Sequence, residues 1–164
     1  MIYKIKYFSL VVFLLLLNSA FCQNIKVETI KDSDGIPFIN FHSRTGVADS
    51  IVYIMPDGKK INVNLNVEFI GGWKSLDTFC DSLYYNRKNY NDQELNEIIK
   101  FSIVLDDNLH IQDIRILNHL LGYSGKYNYN ELFKRILIHT EGKWKLKTLP
   151  SKTWHLYIGS HRFY

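Results

Sequence analysis

The side chains best suited to acid–base, nucleophilic or metal chemistry are six histidines (His42, His110, His119, His139, His155, His161) and two cysteines, Cys22 and Cys80. Their spacing offers little. No two histidines stand at i, i+4, as ligands on one helix face would, or at i, i+2, as on one strand face, so neither a metal nor another cofactor is expected. Asp106, Asn108 and Asp113 resemble a run of oxygen ligands, yet the glycine and terminal glutamate of a calcium loop are missing, and they read as turn chemistry. Gly71-Gly72 lacks the Lys and Ser/Thr of a phosphate loop, and no nucleophile elbow is present. Cys80 falls with Trp73, Leu76, Phe79 and Leu83 at helical spacing, which favours a buried structural thiol over a nucleophile. No catalytic residue is assigned. An enzyme using Cys80 or a histidine is kept as a second alternative.

The elements that would carry these residues begin after an export segment. Residues 1–22 show a short basic start with Lys4 and Lys6, an apolar run from Phe8 to Leu17, and small residues before Gln23. This is the layout of a secretory signal peptide, with cleavage expected after Cys22. The uncharged stretch from Tyr7 to Cys22 is shorter than the ~20 residues a spanning helix needs. Ser19-Ala20-Phe21-Cys22 resembles a bacterial lipobox apart from bulky Phe21, so a lipoprotein held in the outer membrane is the minor alternative to a soluble periplasmic protein. Membrane association is expected only if Cys22 is lipidated or the signal is retained.

From residue 23 to 66 alternation and turn residues predict a β-ribbon, with Pro56-Asp57-Gly58 turning Ile51–Met55 back into Lys59–Leu65. Gly71-Gly72 ends the strand pattern, and the stripe from Trp73 to Leu83 predicts a helix with one core face. Asn91-Asp92-Gln93-Glu94 has the form of a capping box opening a short helix. Ile99, Phe101, Ile103 and Leu105 give the next strand one strongly apolar face, Asp106-Asp107-Asn108 turns it, and Ile111–Leu117 returns. Asn130 is placed as the cap of a helix with core residues Leu132, Phe133, Ile136 and Leu137, stopped at Gly142. The last strand runs from Trp154 to Phe163, with Trp154, Leu156 and Ile158 expected toward the helices and His155 and Tyr157 opposite. The fold class is α+β: helices on one face of a small antiparallel sheet, whose other face meets solvent or a partner.

The net charge is +4 for the whole chain, with 18 basic and 16 acidic residues after the export segment, too little for a general nucleic-acid binder. It is unevenly placed. Residues 23–114 carry 9 basic and 14 acidic side chains, whereas 115–164 carry 9 and 2. The basic half could meet an acidic partner or lipid head groups, or be neutralised by the acidic half of the same fold.

Across residues 67–164 the sequence resembles the C-terminal domain of the TonB family. Glu68-Phe69-Ile70-Gly71-Gly72 is similar to the family's PEFPGG opening, Phe101–Leu117 to its VSFVVDKDGSISDVKVL hairpin, and Glu131–Ile136 followed by Lys143-Trp144-Lys145-Leu146-Lys147 to its EALRVVKSMPKWKPGK segment. Ile70 replaces a proline, Tyr85-Asn86 stands for Tyr-Pro, Leu109 for the turn glycine and Leu146 for the proline after the Trp. In this reading Glu68, Phe69, Gly71, Gly72 and Trp144 are structural. The resemblance implies a periplasmic interaction module that pairs its last strand with an extended segment of an outer-membrane transporter or another envelope protein. The edge would be Thr153, Trp154, His155, Leu156, Tyr157 and Ile158, continuing to Ser160. The prolines (Pro37, Pro56, Pro150) are too scattered to form the spacer of energy-transducing members. The alternative is a structural or dimerising envelope accessory protein, which the added residues 23–66 favour.

Overall fold

The computed structural model describes residues 26–43, 48–86, 98–118, 129–148 and 152–163. The export segment with Cys22 and the capping box at Asn91–Glu94 lie outside them. Among the described residues nine strands and two helices follow in the order β1 (Lys26–Lys31), β2 (Pro37–Ser43), β3 (Ala48–Ile54), β4 (Lys60–Asn64), β5 (Val67–Phe69), α1 (Gly72–Tyr85), β6 (Ile98–Leu105), β7 (Ile111–Ile116), α2 (Tyr129–Ile138), β8 (Trp144–Leu146) and β9 (Trp154–Arg162). The class is mixed α+β. Among the described residues no helix is long and apolar enough to cross a membrane.

The sheet is larger than the sequence suggests. Seven strands are ordered β1-β2-β3-β4-β9-β6-β7, and β5 and β8 form a separate ribbon. All neighbours in the large sheet are antiparallel except β4 and β9, which run parallel and pair only at Val63–Trp154 and Asn64–His155. The N-terminal strands thus continue the sheet of the C-terminal half.

Two apolar clusters explain the arrangement. On one face Ile99, Phe101, Ile103 and Leu105 of β6 meet Leu76, Cys80 and Tyr84 of α1 and Phe133, Ile136 and Leu137 of α2. On the other, Val104 of β6 and Leu156 of β9 meet Phe38, Ile39, Ile51, Tyr53 and Val63 of β2, β3 and β4. The second face was expected to meet solvent or a partner. It is instead covered by the chain's own first strands, because the sheet coils until the turn after β1 reaches β7, where the Ser33 N–H donates to the Ile116 carbonyl at 2.9 Å.

Arg115 locks that contact. Its Nη1 lies 3.0 Å from Asp32 Oδ2 and its Nε 3.0 Å from Asp113 Oδ2, with the three side chains only 10–14% exposed. Tyr53 donates its hydroxyl to Asp113 at 2.7 Å, and the guanidinium carbon sits 5.3 Å from the Phe38 ring centroid. Burial, followed by the Asp113 charge, pushes the Tyr53 phenol far up, so it remains a donor.

Three placements differ from the periodicity. Trp73 leaves the core stripe and is 66% exposed, because it stands in the first turn of α1 directly after two left-handed glycines. Asn130 lies inside α2 rather than at its cap, since helix and burial already include Tyr129. In β9 the faces are exchanged: Tyr157, His161 and Phe163 face the helices, Leu156 and Trp154 the second cluster, and Ile158 is exposed. Tyr157 reaches the helical side because Trp144 and Phe101 offer it rings at 4.9 and 6.1 Å. Gly159 makes room for this, as a Cβ there would fall 2.6 Å from the Tyr157 ring and 3.0 Å from that of Phe101.

Replacing Arg115 with Met should lower stability by roughly 2–4 kcal/mol, slightly below the full cost of an uncompensated buried charge because the carboxylates keep some contact with water. Urea unfolding checks this; Arg115→Lys, able to hold one carboxylate but not both, should fall between Met and wild type.

Candidate functional site

The last strand was the sequence's candidate for binding a partner, and its neighbours decide how much of it is available. β6 pairs with it along its length, from Leu105–His155 to Ile98–Arg162. On its other side Trp154 and His155 are taken by β4, so the expected free edge does not include them. Asn64 staples this junction: its Nδ2 donates to Thr153 Oγ1 at 2.6 Å, and its Oδ1 lies 2.6 Å from His155 Nδ1. Beyond Asn64 the chain turns into β5, and from Leu156 to Arg162 no described strand pairs with that side of β9. Ile158, Ser160 and Arg162 are exposed there.

One outer edge of the sheet, β7, is closed differently. The Ile111 N–H donates to Glu141 Oε2 at 2.8 Å, the Ile114 N–H to Asp113 Oδ1 at 2.9 Å, and the Ile116 carbonyl accepts from Ser33. Three backbone groups directed away from β6 are therefore occupied, which blunts this edge as a template for another strand. Two open grooves, of about 400 and 550 Å3, flank β7 and share Asp113, Ile114 and Lys134 in their linings.

The residues of the family resemblance come together around the small ribbon. β5 and β8 pair Glu68 with Lys145 and Phe69 with Trp144. Trp144 is buried edge-on to Phe69 at 5.5 Å and donates its indole N–H to Thr140 Oγ1 at 3.1 Å. Gly71 and Gly72 both have positive φ (87° and 76°), a conformation that suits glycine. Leu109 occupies the turn-glycine position with φ 66° and still packs its side chain against the helical core.

Two of the chemistry-bearing residues, Cys80 and His161, are buried among packed side chains. Cys80 is fully buried, and burial, then the charges of Asp77 and Asp81, pushes its thiol up to about 12, the reverse of an activated nucleophile. His161 lies between α1 and β9, its Nδ1 3.0 Å from Asp77 and its Nε2 3.2 Å from Asp81, with its ring stacked on Phe133. Its two nitrogens face different carboxylates, so the three groups do not converge on one point. Asp106 acts as turn chemistry, its Oδ1 accepting from the Asn108 and His110 N–H groups. Sequence reasoning missed the Asn64 staple and the Arg115 clamp. Neither residue has a local spacing that reveals partners 89 and 83 positions away.

Comparison with known protein families, curated proteins and solved structures finds no match to this chain.

Cys80 should resist alkylation in the folded protein at neutral pH and react at the rate of a free thiol in urea; rapid labelling of the native chain would contradict its buried placement. His155, fully buried, has its pKa lowered by burial against the opposing charge of Asp107. A base with a depressed folded pKa leaves stability intact above the unfolded value of about 6.5 and erodes it as pH falls below that value, where the unfolded chain takes up the proton first. Between about pH 7.5 and pH 5 the urea midpoint of wild type should therefore fall more than that of His155→Gln; parallel decreases would assign the titration to another group.

Proposed function

We propose that this protein is an exported, non-enzymatic interaction module of TonB C-terminal type, which binds an extended segment of an outer-membrane transporter or another envelope protein by β-strand addition. The observation that carries the reading is the half-paired state of β9: from Leu156 to Ser160 β6 pairs with one side, and no described strand is paired with the other. An incoming strand would find main-chain groups for affinity, with Ile158 on one face for side-chain selection. Between β7 and β9, the occupied edge of β7 favours β9 as the acceptor. The element order β5-α1-β6-β7-α2-β8-β9, with both helices on one face, is in keeping with the resemblance of residues 67–164.

A second reading, a structural or dimerising accessory protein of the envelope, draws support from the first four strands. They cover a whole face of β6 and β9 and bury Phe38, Ile39 and Tyr53 in doing so, more than peptide capture requires.

A photo-crosslinking side chain at Ser160, with a control at Asp57 in the exposed turn between β3 and β4, tests the proposal in cells. Crosslinks from Ser160 to an envelope protein, competed by an extended peptide of that protein, are expected. Crosslinks only between copies of this chain would favour the accessory reading, and equal yields from both positions would remove β9 as the acceptor.

A further inference from the structure

The register of the small ribbon collects charge on its outer side. Val67, Phe69 and Trp144 turn inward to the helical core, which leaves Glu68 and Lys145 outward. The pairing continues at both ends: the Ile70 N–H donates to the Lys143 carbonyl at 2.8 Å, and the Lys147 N–H to that of Asn66 at 3.4 Å. Lys143, Lys145 and Lys147 therefore stand at alternate positions along the ribbon; the Lys145 ammonium lies 3.2 Å from Glu68, that of Lys147 donates to the Leu65 carbonyl at 3.1 Å, and that of Lys143 sits 5.3 Å from the Phe79 ring centroid. Ile70, 52% exposed, borders Lys143 across the ribbon, and Trp73, 66% exposed, follows three residues on as the chain enters α1, with the Lys74 Nζ 5.7 Å from its indole centroid. The first turn of α1 contains no acidic residue to offset its positive end. The two grooves along β7 share no residue with this face.

We propose that this face docks onto an anionic phospholipid bilayer. An exposed indole and an exposed isoleucine beside a row of lysines is the composition that sits at a membrane interface: the apolar side chains enter the head-group boundary while the ammonium groups meet lipid phosphates. Lysine suits this surface because it delivers a point charge on a flexible stem and needs no fixed geometry in its partner, whereas recognition of a defined carboxylate would favour the planar fork of arginine. Charge complementarity thus names the occupant, a diffuse layer of phosphate groups. The surface involves neither Cys22 nor residues 1–22, and it does not depend on strand addition at β9.

Co-sedimentation of the mature chain with phosphatidylglycerol–phosphatidylcholine vesicles, followed also by tryptophan fluorescence, tests the proposal. Wild type should bind these vesicles, release in high salt and show a blue shift, while leaving pure phosphatidylcholine vesicles in solution. The triple variant Lys143→Gln, Lys145→Gln, Lys147→Gln should bind on the order of 100-fold more weakly. Trp73→Ala should bind about tenfold more weakly and lose the blue shift. Lys100→Gln, on another face, should bind as wild type does. Circular dichroism melts of each variant separate lost binding from lost fold. Equal binding to neutral vesicles, wild-type binding by the folded triple variant, or binding to polyglutamate without binding to anionic vesicles would each overturn it.

Discussion

A strand buried on both faces needs cover on both, and β6 is such a strand. Phe101, Ile103, Val104 and Leu105 are all fully buried although their side chains alternate. Helices α1 and α2 cover the aromatic and isoleucine side. Val104 and Leu156, on the other side, are covered by Phe38, Ile39, Ile51 and Tyr53 from the first strands, with Leu117 and Trp154 packed against the same cluster. Each fully buried side chain of this size contributes roughly 1.5–3 kcal/mol relative to exposure, so leaving that face to solvent would be costly on the scale of a domain's whole stability. The coiling of the sheet follows from this need, and the short parallel join of β4 to β9 is where the covering strands enter.

The same closure explains why a guanidinium is tolerated against the second cluster. Arg115 has a carboxylate at two of its nitrogens and aromatic rings of Phe38 and Tyr53 near its plane, so its desolvation is offset on every side. Its partners come from β7 and from the turn after β1, the two parts of the sheet that coiling brings together. The clamp therefore acts on register: it forms only when the sheet has coiled to this extent.

Most local structure was legible because it is written in short-range patterns. The Pro56-Asp57-Gly58 turn, the Asp106 turn and the stripe of α1 from Leu76 to Leu83 each follow from residues within one or two turns of one another. What escaped was set by contacts far apart in sequence. Alternation in Trp154–Ile158 marks two faces but cannot say which is helical when both are apolar; Trp144, ten residues upstream of Trp154, decides it by a tilted ring contact with Tyr157. Likewise, no pattern in β4 announces that Asn64 will bind Thr153 and His155. Part of the expected edge is closed for this reason: Trp154 and His155 have β4 as a partner within their own chain, and the stretch of β9 with no second described strand paired to it begins at the next residue, Leu156.

The first strands thus determine which part of β9 a partner could reach. If they are a permanent layer of the core, Trp154 and His155 stay inaccessible whatever binds beyond them; if they detach, the whole strand becomes an edge. Native-state hydrogen exchange distinguishes these directly. Amides of β3 and β4 should exchange with the same opening free energy as those of β6, through global unfolding alone. Exchange of the β3 and β4 amides through a smaller opening, with β6 still protected, would show a detachable ribbon and contradict the shared core on which this account of the fold rests.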